Sequence, residues 1–151
     1  AEESGATFCI VDNGGDIAMI TDRPVRVGLY AGSSSLSGKY AFLIPPKKEI
    51  FGICTSSATV GHSLSFGTAD SVTVFSSDPV LADAVATAVC NLLSVEDQSC
   101  LDDIDPQIEG IFAVLGEKSI TWGKVPPIIR IESREELITA GGLGFFPDKS
   151  I

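Results

Sequence analysis

Asp83, Thr87 and Asn91 stand four residues apart in a run that is otherwise almost wholly apolar and rich in alanine, Ser76 to Leu92. On a helix that spacing sets the three in one stripe along one face. Asp78 is placed to cap such a helix and Pro79 to occupy its first turn. A carboxylate in a buried helix costs on the order of several kcal/mol of desolvation unless something compensates it. Hydrogen bonds from a neighbouring loop would give a structural aspartate. A hard cation such as magnesium would give a metal site, because it takes oxygen ligands from carboxylates, hydroxyls, carbonyls and water.

A second group is the hydroxyl-rich run Gly52 to His62, with Thr55, Ser56, Ser57 and Thr59. No G-x-S-x-G surrounds these serines, so a nucleophile elbow is not indicated. A loop offering backbone N–H and hydroxyl groups to phosphates fits the composition better, as does an ordinary connection between strands. The single histidine, His62, closes the run. It is a candidate acid or base, or a structural histidine. A third group, Asn13-Gly14-Gly15-Asp16, reads first as a hairpin turn. Gly141-Gly142-Leu143-Gly144 does not follow a strand and open a helix, so it is no dinucleotide fingerprint.

These residues need a scaffold, and 151 residues at 44% apolar content suffice for one core. The net charge of -10 disfavours nucleic acid and anionic membrane surfaces. A phosphorylated ligand would need a divalent cation to offset repulsion. No apolar run is long enough to span a bilayer. Ala1 in place of an initiator Met suggests that upstream sequence has been removed. The four cysteines form no C-x-x-C and share one histidine, which argues against structural zinc. Cys9, Cys54 and Cys90 read as reduced core thiols of a cytoplasmic protein.

Strands are expected at Thr7 to Val11, Ile17 to Ile20, Val25 to Tyr30, Lys39 to Ile44, Phe51 to Cys54 and Ser71 to Phe75. After the helix, Val80 to Leu93, come an acidic connection over Glu96 to Asp105, a strand begun by Ile108 and the apolar residues Ile111 to Leu115, and further strands at Ser119 to Trp122 and Ile128 to Ile131. Gly116-Glu117-Lys118 reads as a second hairpin turn. The fold class is α+β: an antiparallel-rich sheet packed with one long alanine-rich helix. Residues 1–132 form the domain and residues 133–151 a tail, with a charged helical turn over Ser133 to Leu137.

Several of these segments, in this order, resemble the ApbE-like superfamily of FAD:protein FMN transferases. They are Val11-Asp12-Asn13-Gly14-Gly15-Asp16-Ile17, Val27-Gly28, Cys54-Thr55-Ser56, Ser71-Val72-Thr73-Val74 and Leu81-Ala82-Asp83-Ala84-Val85-Ala86-Thr87-Ala88. The run from Gly52 to Asn91 is most similar to a short, uncharacterised prokaryotic branch. The resemblance implies an ApbE-like fold in which Asp83, Thr87 and the Ala86 carbonyl hold magnesium. It implies that Asn13, Gly14, Gly15, Asp16, Thr55, Ser56 and Ser57 contact FAD or another nucleotide diphosphate, with His62 as the catalytic candidate. The transferases carry His-Ile-Ile-Asp-Pro before the Ser-Val-Thr-Val strand. Here His62-Ser63-Leu64-Ser65-Phe66 keeps the histidine and replaces the aspartate and proline. Weak FAD binding without FMN transfer is therefore expected. Relatives are longer, so this chain resembles their C-terminal portion, with a homo-oligomer or a second polypeptide expected to complete it. The rival reading is a non-catalytic binding or assembly module in which the Asp83–Thr87 stripe is structural.

Overall fold

The computed structural model describes residues 5–57 and 69–132. Its elements in chain order are β1 (Cys9–Asn13), β2 (Asp16–Thr21), β3 (Val25–Gly28), β4 (Tyr40–Ile44), β5 (Lys47–Ser56), β6 (Ser71–Ser76), α1 (Pro79–Leu92), a 3-10 turn (Ser99–Leu101), β7 (Ile108–Leu115), β8 (Lys118–Gly123) and β9 (Ile128–Arg130). Six strands form one antiparallel sheet in the order β1-β2-β5-β6-β7-β8, and β3-β4-β9 form a second. The described residues are thus α+β, as the sequence pattern requires.

Strand alternation sorts the side chains into two cores. On one face of the large sheet, Cys54, Val72, Val74, Ile111 and Ala113 meet Ala82, Ala86, Val89 and Cys90 of α1. On the other face, Met19, Phe51, Ile53, Phe75 and Phe112 meet Phe42 and Ile44 of the small sheet. Phe42 packs edge-on against Phe75 and Phe112, with ring centroids 5.0 and 5.5 Å apart. The result is three layers: helix, six-stranded sheet, three-stranded sheet.

Two local features bring the helix and the first hairpin together. The β1–β2 corner is Gly14-Gly15, with φ of 68° and 110°. Positive φ at both corner residues is the type I′ requirement that glycine meets without strain. Asp12 Oδ1 accepts the Gly15 N–H at 3.1 Å and closes the turn. At the other feature, the Asp78 carboxylate caps α1 by accepting the N–H groups of Val80 and Leu81 at 2.9 and 3.2 Å. The first turn of α1 then lies directly on β5: a Cβ at Gly52 would stand 2.6 Å from Pro79 Cα.

Three expectations are corrected here. The α1 helix is not buried all round: Ala82, Ala86, Val89 and Cys90 face the core, whereas Asp83, Thr87 and Asn91 lie on the exposed face. Alanine hid this, because it fits a core and an exposed helix face equally well. Asp83 therefore needs no compensation for burial. Thr55 and Ser56 belong to strand β5, paired with Thr73 and Val72 of β6, and are not a loop. Cys54 and Cys90 are buried, but Cys9 is only half-buried on the edge strand β1, and none of the four cysteines is in a disulfide. His62, Ser65, Phe66 and the helical turn expected over Ser133 to Leu137 lie outside the described residues.

Candidate functional site

β2 and β5 pair so that Asp16 stands opposite Cys54 and Ala18 opposite Gly52. All four positions fall on the helix side of the sheet. α1 packs chiefly on β5 and β6, and its first turns stand beside β2. A cleft of about 220 Å³ results, lined by Asn13, Asp16, Ile17, Ala18, Cys54, Pro79, Val80 and Asp83. The hairpin supplies one wall and the first turns of α1 the other, with Cys54 between them.

Electrostatics follow from that placement. Asp16 is half-buried, and its carboxyl is held above the ordinary value of 3.8, first by burial and then by the negative charge of Asp83. The Thr55 N–H and the Cys54 thiol lie near enough to oppose this and favour the carboxylate. The Cys54 thiol donates to the Pro79 carbonyl at 3.3 Å. Burial, with the charges of Asp16 and Asp83, pushes the Cys54 thiol up to about 12. With no metal bound it stays protonated at neutral pH, so it is a poor nucleophile. Among the described residues, no Lys or Arg lines the cleft.

A family model described as AbpE bacteria matches residues 1–109 of this chain. The chain belongs to the AbpE bacteria family. A UPF0280 protein of Methanospirillum hungatei is 78% identical over 147 residues, 97% of this chain and 60% of that protein. One from Methanoculleus marisnigri is 58% identical over 91% of this chain and 57% of its own length. A third, from Methanosarcina barkeri, is 45% identical over 91% of this chain and 56% of its own. The AbpE-family chain described here thus spans less than two thirds of these relatives.

Within this family member the expected site residues divide into groups. Asn13 and Asp16 meet Asp83 in the cleft. Gly14 and Gly15 form the corner that carries them, and the Gly15 carbonyl accepts the Thr55 N–H at 3.1 Å. The Thr55 hydroxyl shares a hydrogen bond of 2.9 Å with Thr73 Oγ1. Ser56 continues β5 beyond it, and the Ser57 hydroxyl donates to the Asp70 carbonyl at 2.5 Å. Thr87 lies one turn beyond Asp83 on the same exposed face, whereas Ala86 is fully buried against the core. The Ala86 carbonyl is interior to α1, where the helix ladder claims it as an acceptor. Among the described residues there is no group of three or more His, Cys, Asp or Glu arranged to hold a metal ion. The role of Cys54 between the two aspartates was missed in the sequence. Its signal was the alternation Gly52, Cys54, Ser56 along β5, which becomes informative only once the β2–β5 register is known.

Proposed function

We propose that this is an ApbE-like protein in which the cleft between Asp16 and Asp83 binds FAD or another nucleotide diphosphate with the help of magnesium. The observation that carries the reading is that two carboxylates from separate elements line one cleft, with no cationic side chain among the described residues that line it. The donor set suits the metal. Asp16, Asp83 and the Asn13 amide offer hard oxygens. With only two carboxylates, the ion would keep waters and sites for phosphate oxygens, which is the usual way magnesium is held beside nucleotides. The bound ion would supply charge neutralisation for the pyrophosphate. The order of segments from Val11-Asp12-Asn13-Gly14-Gly15-Asp16-Ile17 to the Asp83 helix supports the ApbE-like reading.

Thermal denaturation tests it. Magnesium with FAD raises Tm well beyond the sum of the shifts from each alone, since a ligand selective for the native state stabilises it. No shift with any combination of the two counts against the proposal.

A further inference from the structure

The chain has two asparagines, and they stand in opposite settings. Asn91 lies in α1 and precedes Leu92, whose side chain crowds its own backbone nitrogen and whose N–H belongs to the helix ladder. Asn13 precedes Gly14, both are exposed, and a Cβ at Gly14 would meet nothing within 4 Å. The Gly14 N–H lies outside the β1–β2 ladder, whose last pair is Asn13 with Asp16. An asparagine side chain can close on a following backbone nitrogen that is unhindered. The Gly14 nitrogen attacks Asn13 Cγ, a C–N bond forms, and the side-chain nitrogen leaves as ammonia, carrying the Gly14 amide proton. Water then opens the cyclic imide. Cleavage at Cγ gives aspartate on an unchanged backbone, and cleavage at the main-chain carbonyl gives isoaspartate, with one more carbon in the corner. The extended backbone of a paired strand holds the two reacting groups apart, so the reaction waits on opening of the Asn13–Asp16 pair. As the last rung beside the turn, that pair opens at lower cost than the core strands.

We propose that Asn13 is a site of spontaneous deamidation and that the aspartate formed there completes a three-carboxylate cation site with Asp16 and Asp83. All three positions line the cleft, from β1, β2 and α1. Replacing the neutral amide by a carboxylate keeps an oxygen donor in place and adds a negative charge. The affinity of oxygen-ligand sites for divalent cations is tuned by that ligand charge. The cation step rests on the reading of the cleft given above, whereas the deamidation does not. Isoaspartate has no such effect, since its extra backbone carbon breaks the Asn13–Asp16 register.

Peptide mapping by mass spectrometry tests the first step without metal or nucleotide. The folded chain and a peptide of Val11 to Ile17 are aged together at mildly alkaline pH. In the folded chain Asn13 should convert to aspartate and isoaspartate while Asn91 keeps its amide, and the mass gain should vanish in Asn13→Gln. Asn13 still intact in the folded chain once the peptide has fully reacted overturns the proposal. Magnesium calorimetry tests the second step on Asn13→Asp, with Gln98→Glu as the same charge change at an exposed position that does not line the cleft. The expected affinity is about tenfold above the parent in Asn13→Asp and unchanged in Gln98→Glu. Equal affinity in the two variants overturns the three-carboxylate site. No magnesium binding by any form overturns it together with the proposed function.

Discussion

Asp16 on β2 and Asp83 on α1 line one cleft from opposite sides, and the charge of Asp83 helps to hold the Asp16 carboxyl above its ordinary 3.8. Because burial is the larger cause, Asp83→Asn should move the Asp16 titration down only part of the way, as followed by carboxyl NMR. The linkage sign is that of a raised acid. Its stabilising contribution is fully present below pH 3.8 and is lost as pH rises through the folded-state value. At neutral pH the ionised Asp16 therefore weakens the metal-free fold. Asp16→Asn should raise Tm at pH 7 in metal-free buffer and change it little near pH 3. A variant less stable than the parent at pH 7 would show that the Thr55 N–H and the Cys54 thiol favour the carboxylate enough to outweigh burial and repulsion.

The seat of α1 on β5 gives a mutation with a defined mechanism. A Cβ at Gly52 would stand 2.6 Å from Pro79 Cα, against backbone that cannot swing aside, whereas one at Gly28 would meet nothing within 4 Å. Gly52→Ala should cost about 1–3 kcal/mol through overpacking and displace the first turn of α1. Gly28→Ala should stay within about 0.5 kcal/mol of the parent. Urea denaturation of both variants decides this, with equal stability as the contrary result.

Most of the scaffold was legible in the sequence, for identifiable reasons. The Asn13-to-Asp16 turn, the alternation over Val25 to Gly28, the run Ser71 to Phe75 and the Asp78-Pro79 helix start are local signals, and the elements lie at or within a few residues of those positions. β5 is longer than expected because Lys47 to Ile50 carries charge and lies mostly exposed, so it lacks the apolar pattern of a buried strand. The site was legible only in pieces. Asn13, Asp16 and Asp83 were each named from their own segments. Their meeting depends on the β2–β5 register and on where α1 lands, which are long-range facts that no local spacing encodes. The α1 stripe was legible as a stripe but assigned to the wrong environment, since alanine does not distinguish a buried face from an exposed one.

Activity is a separate matter from binding. The resemblance to the transferases sets Ser65 and Phe66 where their motif has aspartate and proline. Loss of positioning groups is costly in rate even where binding survives. Incubation with FAD, magnesium and a threonine-containing acceptor peptide should leave the peptide mass unchanged. An FMN-sized increase that disappears in both His62→Ala and Asp83→Ala would instead make the chain a transferase.

The most direct measurement of the central claim is isothermal titration of FAD into this chain with and without magnesium, in the parent, in Asp83→Asn and in the exposed control Asp103→Asn. The two variants change net charge equally, so only a role in the cleft separates them. The account predicts heat of binding that depends on magnesium, is kept in Asp103→Asn and is weakened about tenfold or more in Asp83→Asn, on the order of 1.4 kcal/mol. Binding that is indifferent to magnesium, or equal in the two variants, would contradict it and leave Asp83 as a surface residue of the helix.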